Sequence, residues 1–439
     1  MHNSSWQNLR EIYDESGRLL IFRSLLQDKT VSRLRCLLFL ASSDQKDANQ
    51  KEKVFFDICA DLVNIAEQQR LEGSNLWHSY LVKLIAENEN PFSRTCARHG
   101  REISGSSLFQ GALHDVCIIK KLYHLSFADL FSAGEISPLI ENFHVRNVSL
   151  DDTKRPCLSK MEVLNDFFAG SSEEDLALAL VDFYHKFGCG VVGMFDFFRW
   201  EEGRGLVGVC HPDPVRLADL IGYQWQKEII IKNTEAFIEG KKANNLLLYG
   251  DRGTGKSSTI KALVNEYSAR GLRLVEVSRH QLHRLLEIVR PIRDYAQKFI
   301  IFIDDLSFEG AETDYKFLKA LMEGGVEVMP DNVLIYATSN RRHLVQETWQ
   351  DRGEAGGEIH ASDSLAEKLS LSDRFGLTVT FTSPDQEEYL SIVEGLAKKQ
   401  GIDLPVSELK ERAIEWERWH NARSGRTAQQ FINHLLSTL

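Results

Sequence analysis

The chain has 439 residues and a mass of 50.0 kDa, more than one ordinary domain holds, so two or three domains are expected. Hydrophobic residues at 43% and charged residues at 26% describe a globular chain, not a disordered or collagen-like one. The formal net charge of -11 divides almost evenly, -5 over residues 1–200 and -6 over 201–439, so neither half is a basic module and tight non-specific binding to nucleic acid or an anionic membrane is disfavoured.

Residues 1 to about 185 read mainly as helices. Leu19, Leu20, Ile21, Leu25 and Leu26, then Phe55, Ile58, Cys59, Leu62 and Ile65, recur at three- and four-residue steps. The polar stretch from Ser42 to Lys53 reads as an exposed connection. Ser171-Ser172-Glu173-Glu174 opens a further helix, with a serine as N-cap and acids in the first turn. The apolar run Cys36–Ala41 falls far short of the roughly 20 residues that span a bilayer. Arg10, Glu11, Asp14, Glu15 and Arg18 do not make a secretory signal, and no membrane association is expected. Seven widely spaced cysteines without a CxxC pair point to reduced thiols and a cytoplasmic location.

From Gly188 the pattern changes. Gly190–Phe195 and Gly205–Val209 flank a turn-like Glu201–Gly205, which predicts a β-hairpin. His211-Pro212-Asp213-Pro214 then reads as a linker, and the main boundary is expected there. Five short apolar runs follow, Asn245–Tyr249, Arg273–Val277, Phe299–Ile303, Val333–Ala337 and Leu377–Phe381, separated by helical stretches. Continuous apolar strands alternating with helices predict a parallel sheet covered on both faces. From Asp385 only helical patterns remain. The expected division is 1–212, a mainly helical domain ending in the hairpin; 213–384, an α/β nucleotide-binding domain; and 385–439, a helical lid.

Gly250-Asp251-Arg252-Gly253-Thr254-Gly255-Lys256-Ser257 is a complete GxxxxGK[ST] motif between a predicted strand and a predicted helix. Its glycines let backbone N–H groups converge on phosphate oxygens, and the helix start adds partial positive charge. In that chemistry Lys256 reaches the β- and γ-phosphates and Ser257 binds Mg²⁺. Phe299–Ile303 ends in Asp304-Asp305, a buried strand delivering carboxylates to the sheet edge where ligands bind in open α/β sheets. Asp304 is suited to hold Mg²⁺ and Asp305 to polarise the attacking water. Asn340, at the tip of the next strand, is a candidate for the γ-phosphate or for positioning water. Arg374 precedes the last strand, and Arg426 opens the last helix.

In that order these residues resemble the AAA+ ATPases, from about Val215 to Leu439. Gly250 to Ser257, with Ser258 following, is similar to Walker A, and Phe299 to Asp305 to Walker B. Leu220-Ile221-Gly222-Tyr223 resembles the segment lining the adenine pocket, so Ile221 and Tyr223 are implied base contacts. Asn340 matches sensor 1, Arg374 the arginine finger and Arg426 the sensor 2 arginine. Tyr249–Ser258, Asp304–Glu309, Ala337–Leu344 and Ser370–Gly376 are similar to a bacterial AAA+ family known chiefly as a domain of unknown function. The resemblance implies ATP and Mg²⁺ as cofactors, a ring or arc of like subunits, and hydrolysis coupled to remodelling or loading of a partner held by the N-terminal domain.

Two departures qualify that expectation. The second Walker B carboxylate, usually Glu, is Asp305, shorter by one methylene, and Glu309 could assist if the loop folds back. This keeps open a nucleotide-gated scaffold with weak hydrolysis. Ser278–Leu286 lacks the aromatic–aliphatic–Gly triplet of polypeptide-threading members. The Arg279, His280, His283, Arg284, Arg290 and Arg293 stretch leaves open a DNA-associated loader-type ATPase, though it reads better as the solvated side of an amphipathic helix whose apolar side is Leu282, Leu285, Leu286 and Val289.

Overall fold

The computed structural model describes residues 2–42, 48–69, 75–130, 140–143, 156–308, 314–323, 328–340 and 374–438. The chain divides into two compact units, Met1–Phe195 with Asp294–Ala296, and Asp196–Arg293 with Gln297–Leu439.

The first unit is helical because its apolar residues repeat at helical spacing and its polar residues sit where helices begin. Asp28 accepts from Val31 N at the start of Lys29–Ala41, Asn90 and Ser93 form a reciprocal cap for Pro91–His99, and Ser172 accepts from Asp175 N ahead of Glu173–Phe187. Leu34, Leu38, Phe55, Ile58, Leu62 and Trp77 lie in one buried cluster. The fully buried Asp115 carboxylate accepts from the backbone N–H groups of Leu20, Ile21 and Phe22, which fixes the non-helical turn behind the first helix. The connection expected over Ser42–Lys53 is shorter than its polarity suggests, since a helix runs from Ala48 to Gln69.

In the second unit, the five predicted parallel strands are present as β3 (Leu246–Gly250), β4 (Leu272–Glu276), β5 (Lys298–Ile303), β6 (Val333–Ser339) and β7 (Leu377–Phe381). They lie in the order β4-β5-β6-β3-β7, with helices Gln224–Ile238 and Lys256–Tyr267 among those that flank them. The carboxyl ends of β3, β5 and β6 therefore open side by side. The hairpin differs from expectation. Gly190–Met194 is a short helix, and β1 (Phe197–Glu201) pairs antiparallel with β2 (Gly205–Gly208). A short apolar run suits either period. The turn is decided by positive φ at Gly188 and Gly190, and by Gly193, where a Cβ would lie 2.7 Å from Gly188 O.

β1 also pairs parallel with β4, so the hairpin extends the sheet to seven strands instead of closing the helical region. The units consequently part at Phe195 and Asp196, not at residue 212. Arg273 on β4 is wholly buried, and its guanidinium lies 3.2 Å from Asp196, an ion pair that ties the start of β1 to the parallel strands.

The basic stretch folds as short helical turns, Arg279–Arg284, Leu285–Val289 and Arg290–Ile292. Leu282, Leu285 and Val289 are buried, whereas Leu286, expected on the apolar side, is 38% exposed. The 3₁₀ spacing through Arg284, tighter than α spacing, keeps a strict α-helical apolar face from holding across the junction. Three helices, Gln386–Lys399, Val406–His420 and Gly425–Thr438, pack on a core of their own around Tyr389, Ile392, Val393, Leu409 and Phe431. No helix among the described residues is long and apolar enough to cross a membrane.

Candidate functional site

The loop after β3 owes its shape to glycine. Gly250 has φ +137°, and a Cβ there would lie 2.0 Å from Phe381 O, so no other residue fits beside β7. Gly253 and Gly255 take φ of +77° and +89°, and Gly255 is the cap from which the Lys256–Tyr267 helix starts. Alternation of left- and right-handed residues directs successive N–H groups into one concavity, at the positive end of a helix.

Lys256 is 6% exposed, and its ammonium donates to Gly250 O at 2.9 Å, Asp251 O at 2.6 Å and Asn340 Oδ1 at 3.2 Å. Burial pushes its pKa down against the pull of Asp251, Asp305 and Asp304. It is a cation held among carbonyls at the mouth of an anion-binding loop. Asp251 faces away from that mouth. Its Oδ2 accepts from Ser383 N at 2.6 Å, and this bond holds the carboxyl below the usual aspartate range.

Opposite the loop, Ser257 Oγ donates to Asp304 Oδ1 at 2.6 Å, and the Thr338 hydroxyl donates to the same oxygen. Asp305 takes φ +51°, a left-handed conformation uncommon outside glycine, with its N–H donating to Thr338 Oγ1 at 3.0 Å. Asn340 Nδ2 donates to Asp305 Oδ1 at 2.7 Å. The neighbouring register of β5 and β6 brings both strand tips to the loop that follows β3. A hydroxyl and a carboxylate in contact form the hard oxygen donor pair that Mg²⁺ prefers.

These groups line a cleft of about 850 Å³ together with Ile221, Tyr223 and the lid residues Ile392, Leu396 and Arg426. One end is polar, from Arg252 to Ser258 with Asp304, Asp305, Thr338 and Asn340, and the rest of the wall mixes apolar groups (Ile221, Tyr223, Phe381, Ile392, Leu396) with charged ones such as Lys227 and Lys399. Tyr223 has φ +55°, its ring lies 5.1 Å from that of Phe381, and its hydroxyl donates to Thr382 O at 2.8 Å. Ile221 packs against the lid helix at Gly395, where a Cβ would meet its Cδ1 at 2.4 Å. Arg426 N donates to Gly253 O at 3.2 Å, closing the lid onto the loop.

The structure thus brings together Ile221, Tyr223, Arg252, Gly253, Thr254, Gly255, Lys256, Ser257, Ser258, Asp304, Asp305, Asn340 and Arg426. Gly250 and Asp251 shape the loop from behind the cleft, and Arg374 is exposed outside its lining. Glu309 lies outside the described residues. Sequence reasoning passed over Thr338, Lys227 and the Asp219–Lys399 ion pair. Lys227 is buried in the cleft wall, donates to Leu220 O at 2.6 Å, and has its pKa lowered by burial. Lys399 Nζ lies 2.6 Å from Asp219 Oδ1, a bond across 180 residues that no local pattern announces. Thr338 was legible as the polar residue two positions before Asn340, where the strand emerges.

Residues 193–439 match the family described as a protein of unknown function, DUF815. The chain belongs to that family. The DUF815 module is an AAA+ P-loop NTPase module, with the motif loop after the first strand of the parallel set and the paired aspartates after the third. The chain is also similar to the proteasome-activating nucleotidase of Methanoregula boonei, 28% identical over 191 residues, which are 40% of this chain and 41% of that one. A match of 28% over 117 residues joins it to the replication factor C large subunit of Staphylothermus marinus, covering 25% of this chain and 27% of the other. It spans less than half the length of either relative. Among solved structures, the Thermotoga maritima RuvB Holliday junction branch migration motor aligns over 51% of this chain and 72% of its own, at 14% identity and a TM-score of 0.31.

Proposed function

We propose that the chain binds ATP with Mg²⁺ in the cleft between sheet and lid, hydrolyses it, and couples nucleotide state to remodelling or loading of a partner protein bound through the helical unit. The observation that carries this reading is the convergence of Lys256, Ser257, Asp304, Asp305 and Asn340 within hydrogen-bond distance of one another at the polar end of an 850 Å³ cleft. Those groups come from three different strand ends, and a structural turn needs no such assembly.

In this reading the 253–257 amides and Lys256 receive the β- and γ-phosphates, and Ser257 Oγ and Asp304 hold the metal. Bound Mg²⁺ supplies charge neutralisation for the developing phosphate oxyanions. Asp305 orients the attacking water and accepts its proton, while Asn340 fixes the Asp305 carboxylate and reaches the γ-phosphate. Ile221 and Tyr223 border the base. Arg426 closes from the lid, and Arg374 serves the site of a neighbouring copy in a ring or arc. One relative is by name a nucleotidase, which accords with hydrolysis.

Calorimetric titration of the full chain with ATP, with and without Mg²⁺, together with phosphate release at steady state, tests the reading. Binding that is lost in Lys256→Ala, with turnover that needs Mg²⁺, is the expected result. ATP binding that Lys256→Ala leaves unchanged overturns it.

A second reading, a nucleotide-gated scaffold with slow hydrolysis, draws on the short Asp305 side chain and its engagement by Asn340. Tight binding with turnover far below the typical 1–10³ s⁻¹ range favours it.

A further inference from the structure

The residue in the loop that least suits phosphate binding is Asp251, since a carboxylate beside a triphosphate repels it. Its neighbours explain its presence. Residues Phe381–Ser383 connect β7 to the lid, whose first helix is capped by Asp385. Each of these three residues is held by a group from the nucleotide-site segments. Phe381 O accepts from Asp251 N at 2.9 Å, Thr382 O accepts from Tyr223 Oη at 2.8 Å, and Ser383 N donates to Asp251 Oδ2 at 2.6 Å. Gly250, with φ +137° against Phe381 O, sets the turn that aims Asp251 at this connector.

We infer that Asp251 is a positioning residue that links the phosphate loop to the hinge of the lid, and not a nucleotide ligand. The inference rests on the nucleotide-binding reading above. The link has a route to the phosphates through the same residue, because the Asp251 carbonyl accepts from Lys256 Nζ at 2.6 Å. When Lys256 turns to a phosphate, it gives up the carbonyls of Gly250 and Asp251. The strain on the loop then reaches the hinge through the Asp251 side chain. Arg426 N on Gly253 O closes the opposite end of the lid on the same loop. Binding and lid closure are in this way coupled through the Asp251 side chain at the hinge and a main-chain contact at the far end.

Amide hydrogen exchange of the full chain, read at residues 381–385 with and without ADP, tests the link. In Asp251→Ala without nucleotide, the Ser383 amide should exchange several-fold to tenfold faster, as expected for the loss of a charge-assisted bond at an exposed site. Asp251→Asn, which keeps an acceptor oxygen, should restore most of the protection. ADP should add protection at 381–385 in the wild type and in Asp251→Asn but not in Asp251→Ala, while ADP affinity in all three stays within about threefold. Turnover in Asp251→Ala should fall through kcat with KM little changed. Wild-type protection at Ser383 in Asp251→Ala overturns the link, and loss of ADP binding in that variant with Ser383 still protected makes Asp251 a ligand. If the wild type itself binds no nucleotide, the reading of the cleft fails, and the exchange difference without nucleotide still decides whether Asp251 holds the hinge.

Discussion

Asn340 donates through Nδ2 to the Asp305 carboxylate at 2.7 Å, and its other amide atom, Oδ1, accepts from Lys256 at 3.2 Å. One side chain at the tip of β6 thereby connects the candidate base with the candidate phosphate ligand. Asn340→Ala should leave ATP binding within about tenfold and lower turnover by roughly 10²-fold, the range lost when one oriented donor is removed from a reacting site. Single-turnover phosphate release measured beside equilibrium binding separates the two effects. Equal losses in both would make Asn340 a binding residue only.

The carboxylates have different expected roles. Asp304 Oδ1 takes hydrogen bonds from Ser257 and Thr338, the position for a metal, so Asp304→Ala should abolish Mg²⁺-dependent turnover. Asp305→Asn keeps the shape and the capacity to bond Asn340, so it should bind ATP normally and fail to hydrolyse it. Wild-type turnover in Asp305→Asn, with loss in Glu309→Gln, would move the base to Glu309.

Gly250→Ala should be severely destabilising. The added Cβ meets Phe381 O at 2.0 Å and the backbone is held at φ +137°, so β3 and β7 must separate at their ends. Adverse φ/ψ costs on the order of 1–3 kcal/mol before the clash is counted. A lowered melting temperature with weakened ATP binding is the expected pair of results, read by calorimetry. Gly255→Ala has open space around its Cβ and should pay only the conformational cost.

The parallel strands and the motif loop were legible because a buried strand needs a continuous apolar run and the phosphate loop needs glycine at fixed offsets. Two of the features that escaped reading depend on partners distant in sequence: Lys399 meets Asp219, and Asp251 turns away from the site its motif implies to bond Ser383. Lys227 turns inward to Leu220 O, only seven residues away, but a lone lysine on a helix carries no local sign of burial. Gly190–Phe195 misled because a short apolar run lacks a decisive period, and β1 was hidden because its sequence begins with Phe197-Phe198 but becomes charged at Arg199 and Glu201.

The helical unit should weaken in mild acid through His78. Its ring stacks on Tyr123 with centroids 3.8 Å apart, and burial lowers its pKa from 6.5 to about 4. The unfolded chain then binds a proton below about 6.5 that the folded ring refuses until about 4, so stability falls as pH falls through that window. With the ring only partly buried, the loss is on the order of 1–3 kcal/mol. Denaturant melts at pH 7 and 5 should show it, and His78→Phe, which keeps a ring on Tyr123, should lose that share of the pH dependence.

Arg374 and Arg426 make the assembly testable. Arg426 lines the cleft and its backbone bonds Gly253, so in the proposed reading it acts on the nucleotide of its own chain. Arg374 is exposed ahead of β7 and outside the cleft lining, and in the proposed reading it acts on the site of a neighbouring copy. An arginine finger stabilises charge on the transferring phosphoryl group, and its loss should cost roughly 10³–10⁵ in rate. Arg374→Ala and Lys256→Ala should each be inactive alone. Mixed, they should regain activity, because some interfaces then pair an intact phosphate loop with an intact finger. Arg426→Ala mixed with Lys256→Ala should regain none, since each chain carries damage to its own site. A protein that stays monomeric with ATP and turns it over at a specific rate independent of its concentration would show that Arg374 acts on no neighbour.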